Sequence, residues 1–151
     1  MKWEYDDGGR AASGRRGEAG DCVVRAIAIA TGKPYAAIYE SLHEVIRHCG
    51  KARRGKHSNS PRNGVERRAY QSYLEVCGWV WHPTMGIGTG CRVHLDADEL
   101  PAGRIICRLS KHLVAVIDGV IHDTHDPQRW TTYGDGHSAS RCVYGYFEEA
   151  R

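Results

Sequence analysis

No stretch of the 151-residue chain approaches the roughly 20 consecutive apolar residues of a membrane-spanning helix, so no helical membrane span is expected within it. The opening residues, Met1-Lys2-Trp3-Glu4-Tyr5-Asp6-Asp7, have no apolar signal-peptide core, and the expected location is cytoplasmic. Neither sign of charge dominates: 21 Lys and Arg stand against 18 Asp and Glu, and a net charge of +3 is too small to announce a nucleic-acid-binding protein. The Gly-rich stretch Met85-Gly86-Ile87-Gly88-Thr89-Gly90 has no Lys-Ser/Thr after it, which excludes a phosphate-binding loop. The His-Glu-x-x-His and zinc-deaminase signatures are also missing, and no cofactor or metal is expected. Six cysteines are present, and without a secretion signal all are expected to be free thiols. Cys49, Cys77 and Cys107 read as small buried hydrophobes.

What the chain does have is a globular composition, 26% charged and 41% hydrophobic, in one domain's length. Residues 1–20, rich in Gly, Arg, Ala and Ser and without period, read as a flexible arm, with Trp3 and Tyr5 as the residues that could pack it down. Residues 21–151 read as a single domain. An apolar helix is expected over 22–31, between Asp21 as N-cap and Gly32 as C-terminal stop. Pro34 suits the first position of a second helix, on which Ile38, Leu42, Val45 and Cys49 form one stripe before Gly50. A third helix is expected over 64–77. Strands follow at Trp79–Trp81, Arg104–Leu109, Leu113–Ile117, Val120–His125 and Cys142–Phe147. Helices first and antiparallel strands afterwards imply an α+β fold.

The chemistry centres on Cys22. It opens the run Val23-Val24-Arg25-Ala26-Ile27-Ala28-Ile29-Ala30, which is apolar on nearly every face and therefore belongs in the interior. A thiol at the first turn of a helix feels the positive helix end and has free backbone N–H groups beside it, conditions that favour a thiolate and can hold an oxyanion. Asp21 opposes the thiolate, and Arg25, four residues on, is placed to pair with it. A second element, Lys111 to Asp123, turns at Asp118-Gly119, a strong hairpin signal. With a two-residue turn Ile117 pairs with Val120, Val114 faces Asp123 and His112 faces His125. His112, Val114, Asp123 and His125 then share one face, with Asp123 diagonal to His112. Asp126 points the other way. A three-residue turn would reverse this choice. Cys22, His112 and Asp123 thus form a candidate nucleophile, base and orienting carboxylate.

The arrangement resembles the papain-like cysteine peptidase superfamily. Its members place a Cys at the start of a central buried helix, a His on a later antiparallel strand and an Asn or Asp on the next. His122-Asp123-Thr124-His125 is similar to the papain-type Asn-Ser-Trp stretch, and the short His112-to-Asp123 spacing is nearest to bacteriocin-leader peptidases. The chain also looks like uncharacterised bacterial and bacteriophage proteins. The resemblance implies a papain-like fold and a thiol hydrolase acting on a peptide or protein substrate at a peptide or amide bond. It also admits an acyltransferase or transglutaminase-like enzyme. The sequence departs from the pattern in having no Gln or Asn before Cys22, which leaves Arg16 or the backbone N–H of Cys22 as oxyanion donor.

Two rival readings use other residues. Cys91-Arg92-Val93-His94 and His122-Asp123-Thr124-His125 have zinc-ligand spacing, although His122 and His125 on one strand would face opposite sides. The basic segment 47–68 (Arg47, Lys51, Arg53, Arg54, Lys56, Arg62, Arg67, Arg68) suits an acidic partner or nucleic acid, and would serve a catalytically inactive papain-like binding module. Trp79, Trp81, Trp130 and Tyr133 are candidates either for a groove or for the core.

Overall fold

A computed structural model describes residues 1–49 and 60–151. The helices are α1 (Cys22–Thr31), α2 (Tyr35–His48) and α3 (Arg67–Val76). The strands are β1 (Lys2–Tyr5), β2 (Trp79–Pro83), β3 (Arg104–Leu109), β4 (His112–Ile117), β5 (Val120–Asp123), β6 (Thr131–Thr132), β7 (Ser138–Ala139) and β8 (Gly145–Glu149). One six-stranded sheet runs β1-β5-β4-β3-β8-β2, antiparallel except where β1 joins β5, and β6 and β7 pair separately. This is the mixed, α+β organisation expected from helices followed by antiparallel strands.

α1 is buried because it has no polar stripe to expose: Val23 to Ala30 are all inaccessible, and the helix lies between the sheet and α2. Gly32 closes it in the left-handed conformation, φ 70°. α2 presents Tyr35, Ile38 and Leu42 inward, and α3 presents Ala69, Tyr70 and Leu74. Alternation along the strands divides the core in two. Ile106, Leu113, Ala115 and Phe147 pack against the helices. Ile105, Cys107, Leu109, Val114, Val116 and Ile121 form a second core with Leu95, Leu100 and Val143. At the β2–β8 pair, Gly145 faces Trp81, and a Cβ there would lie 2.3 Å from the indole. Only glycine lets Trp81 reach Phe147, at 4.7 Å between ring centroids.

The β4–β5 register is Ile117↔Val120, Val116↔Ile121, Ala115↔His122, as a two-residue turn requires. Asp118 and Gly119 have φ 48° and 77°, the doubly left-handed backbone of that turn. Asp118 also exchanges hydrogen bonds with Gly103 through its amide and its carboxylate, each at 2.9 Å, which ties the turn to the start of β3.

Several expectations need correction. Residues 1–20 are not simply an arm, because Lys2–Tyr5 add an edge strand by parallel pairing with β5. Four backbone pairs are invisible to hydrophobic periodicity, and all four β1 side chains are exposed. Cys91 and Cys142 are joined in a disulfide rather than free, and Cys142 also forms the backbone bridge to His94 that brings the two segments together. Cys107 is buried as expected, but Cys49 and Cys77 are half-buried. α3 starts at Arg67 instead of residue 64, since Ser60 and Gly64 close a small backbone turn first. Asp21 occupies the N-cap position of α1 without capping it, because its carboxylate is committed elsewhere.

Candidate active site

Cys22 opens α1, His112 opens β4 and Asp123 closes β5. Pleating alone would keep them apart. His112 and Asp123 fall in step with Val114, Val116 and Ile121, which face the second core, whereas α1 packs on the opposite face against Leu113 and Ala115. They meet at the end of the sheet, where neither strand continues and side chains reach round to the α1 N-terminus. There His112 Nε2 lies 2.6 Å from Asp123 Oδ2, and the His112 side chain lies near enough to the Cys22 thiol for each to shift the other's ionisation. With Nε2 used by Asp123, Nδ1 is the nitrogen left for the sulfur.

The electrostatics favour charge on all three groups. Burial pushes the Cys22 thiol up, but the hydrogen bond and charge of His112, the amide of Leu113 and the Arg25 guanidinium together hold it below its ordinary value. Burial works against protonated His112, yet its bonds to Asp123 and Cys22 and their charges raise it to about 9. Asp123 is pushed up by burial and brought below the usual carboxylate range by His112, by the Thr124 amide at 2.7 Å and by Arg25.

Sequence reasoning anticipated the Arg25–Asp21 pair, and the structure extends it. Arg25 is bonded to Asp21 through Nη1 and lies 3.3 Å from Asp123 Oδ1 through Nη2, so it joins the two carboxylates on either side of the thiol. Asp21 also accepts from the Tyr35 hydroxyl at 2.5 Å and pairs with Arg10 at 3.2 Å. Two cations and a hydroxyl thus face its charge, which answers its opposition to a thiolate one residue away. Trp3 Nε1 and the Asp6 amide both donate to the Asp123 carbonyl, at 3.2 and 3.0 Å, and anchor the end of β5 from β1. Neither residue carried a signal for this role in the sequence, because a parallel edge pairing about 120 residues distant has no local pattern.

The thiol faces a cleft of about 640 Å³ lined from α1, α3, the β3–β4 turn and the Asn63-Gly64 segment. Gly20 forms its lip: a Cβ there would sit 3.1 Å from the Asn63 carbonyl. Arg16 is exposed and does not line this cleft, so of the two expected oxyanion donors the backbone N–H groups of Cys22 and its neighbours, left uncapped by Asp21, remain. Trp79 belongs to the core and Trp81 packs on Phe147, while Trp130 and Tyr133 are exposed away from the cleft.

The two zinc-spaced pairs of the rival reading do not come together. Cys91 is in the disulfide, His94 rests against the Glu99 carboxylate at 3.2 Å, and His122 faces Asp6. The donors that do come together are His112, Asp123 and His125, within 4.8 Å of one another. A cation there would have to displace the His112–Asp123 hydrogen bond. In the basic segment, Arg47 pairs with Glu44, Arg62 reaches the Glu18 carbonyl and Arg68 bonds the Cys49 carbonyl. Lys51, Arg53, Arg54 and Lys56 lie outside the described residues. Among the described residues no helix is long and apolar enough to cross a membrane.

Comparison with protein-family models, with curated proteins and with solved structures found no match for this chain. The functional reading therefore rests on the geometry of the site.

Proposed function

We propose that the chain is a papain-like thiol hydrolase that cleaves a peptide or amide bond. The observation that carries this reading is the relay at the end of the sheet: a thiol at a buried helix N-terminus lies beside a histidine whose Nε2 is bound, at 2.6 Å, to a buried carboxylate. Cys22 Sγ attacks the carbonyl carbon as a thiolate, and the oxyanion that forms meets the N–H groups at the start of α1. His112 gives its proton to the leaving nitrogen as the C–N bond breaks, leaving a thioester on Cys22. Water then attacks the thioester, His112 takes up its proton, and the carboxylic acid product departs as the thiolate reforms. Asp123 holds the ring orientation throughout and stabilises the imidazolium, and Arg25 stabilises Asp123. With an amine in place of water, the same thioester would support acyl transfer.

Alkylation by iodoacetamide near neutral pH tests the reading. Cys22 should be modified well ahead of Cys49, Cys77 and Cys107, and Cys22→Ala should abolish the fast phase without unfolding the protein. Uniform, slow modification of all free thiols would end the proposal.

A further inference from the structure

Three cations besides Arg25 line the cleft beside Cys22. Arg67 opens α3 with its guanidinium 5.0 Å above the Trp81 ring and its Nε bonded to Gln71. Arg108, half-buried on β3, holds its guanidinium 5.6 Å from the Tyr144 ring centroid. Lys111 sits in the β3–β4 turn at φ 55°, one residue before His112. Among the described residues, none of the three has a carboxylate within ion-pair distance. Arg25, also at the cleft, is spent on Asp21 and Asp123. Among the described residues that line the cleft, Glu66 is the single carboxylate, and it is itself engaged. Tyr70, buried between α3 and the sheet, adds a phenol close enough to feel both Arg67 and Arg108. Apolar walls from Val23, Val65, Leu109 and Leu113 lower the local polarity and strengthen the field of these charges.

We infer that the cleft takes an acidic peptide segment, whose Asp or Glu side chains seat against Arg67, Arg108 and Lys111 next to the bond presented to Cys22. Aromatic rings lie against the Arg67 and Arg108 guanidinium groups, and Arg67, whose Nε is bonded to Gln71, keeps its Nη groups for a carboxylate. This substrate class rests on the thiol-hydrolase reading above, and the two can fail separately.

Iodoacetate and iodoacetamide alkylate through the same carbon and differ in carrying a carboxylate or a neutral amide. The ratio of their rates at Cys22, divided by the same ratio for the unfolded chain, reads attraction of an anion to the cleft. It should be raised about ten-fold at low salt and fall as ionic strength rises. The His112 imidazolium contributes part of that attraction, so the decisive comparison is the variant Arg67→Gln/Arg108→Gln/Lys111→Gln. Its iodoacetamide rate reports any change in the thiolate itself, and the normalised ratio should drop several-fold. An unchanged ratio overturns the inference and leaves the thiol reading intact. If the triple variant does not fold, Arg67→Gln/Lys111→Gln, which changes only exposed side chains, provides the same comparison. Should Cys22 prove unreactive, a fluorescent four-glutamate peptide bound to Cys22→Ala protein still decides the matter. It should bind at least about ten-fold tighter than its four-glutamine counterpart and lose that margin in the triple variant. Equal binding of the two peptides overturns the inference.

Discussion

Replacing Asp123 by Ala removes the group on which the proposed relay converges. Asp123 is 3% exposed, and its carboxylate receives His112 Nε2 at 2.6 Å, the Thr124 amide at 2.7 Å and Arg25 at 3.3 Å. A hydrogen bond to a charged group is worth about 1.5–3 kcal/mol, so loss of the His112 partner should lower the thiolate–imidazolium population about 10- to 150-fold. Breaking a buried ion pair from one side costs about 3–5 kcal/mol. Arg25 keeps Asp21, which places the expected loss of stability near the lower figure and within what a domain of this size tolerates. Asp123→Asn should recover part of the reactivity, because its amide oxygen can still accept from the ring while the charge is gone. The assay is the second-order rate of iodoacetamide with Cys22 at pH 7, alongside urea unfolding of each variant. A folded Asp123→Ala protein that alkylates at the wild-type rate would refute the relay.

Other outcomes follow from the same contacts. Catalysis should rise with pH as Cys22 ionises below the ordinary thiol value of 9.0 and decline as His112 loses its proton near 9, a bell visible in kcat/KM or, for the rising limb, in the thiolate's ultraviolet absorbance. Stability has a related dependence, measurable by urea unfolding across pH. The raised value of His112 contributes fully below 6.5 and is lost as pH rises through about 9, whereas the lowered value of Asp123 contributes above 3.8 and is lost on acidification. Trp3→Ala should slow iodoacetamide at Cys22 several-fold with a small change in unfolding midpoint, since the indole fixes the end of β5 through the Asp123 carbonyl; an unchanged rate would show that β1 plays no positioning role. Reduction of Cys91–Cys142, which are 51 residues apart, should lower stability by about 4 kcal/mol through the entropy of the unfolded chain, read as a fall in Tm with a phosphine reductant.

The local features of the site were legible in the residues. An apolar run with Gly32 behind it fixed α1 and put Cys22 at its first turn, because a segment without a polar face has nowhere to go but the interior. Asp118-Gly119 fixed a two-residue turn, because both positions need a left-handed backbone, and that set the phase of His112 against Asp123. The i,i+4 spacing of Asp21 and Arg25 made their pairing foreseeable. Long-range pairings left no comparable mark. β1 on β5, the Cys91–Cys142 bond and the Trp3 and Asp6 anchors join segments that share no period or spacing rule. The convergence of thiol and imidazole belongs with these. Alternation assigned His112 and Asp123 a common face, but that face is turned away from α1. They reach Cys22 only because both strands terminate where the helix begins, and the relative placement of a helix end and a sheet end is set by packing across the core rather than by any stretch of sequence.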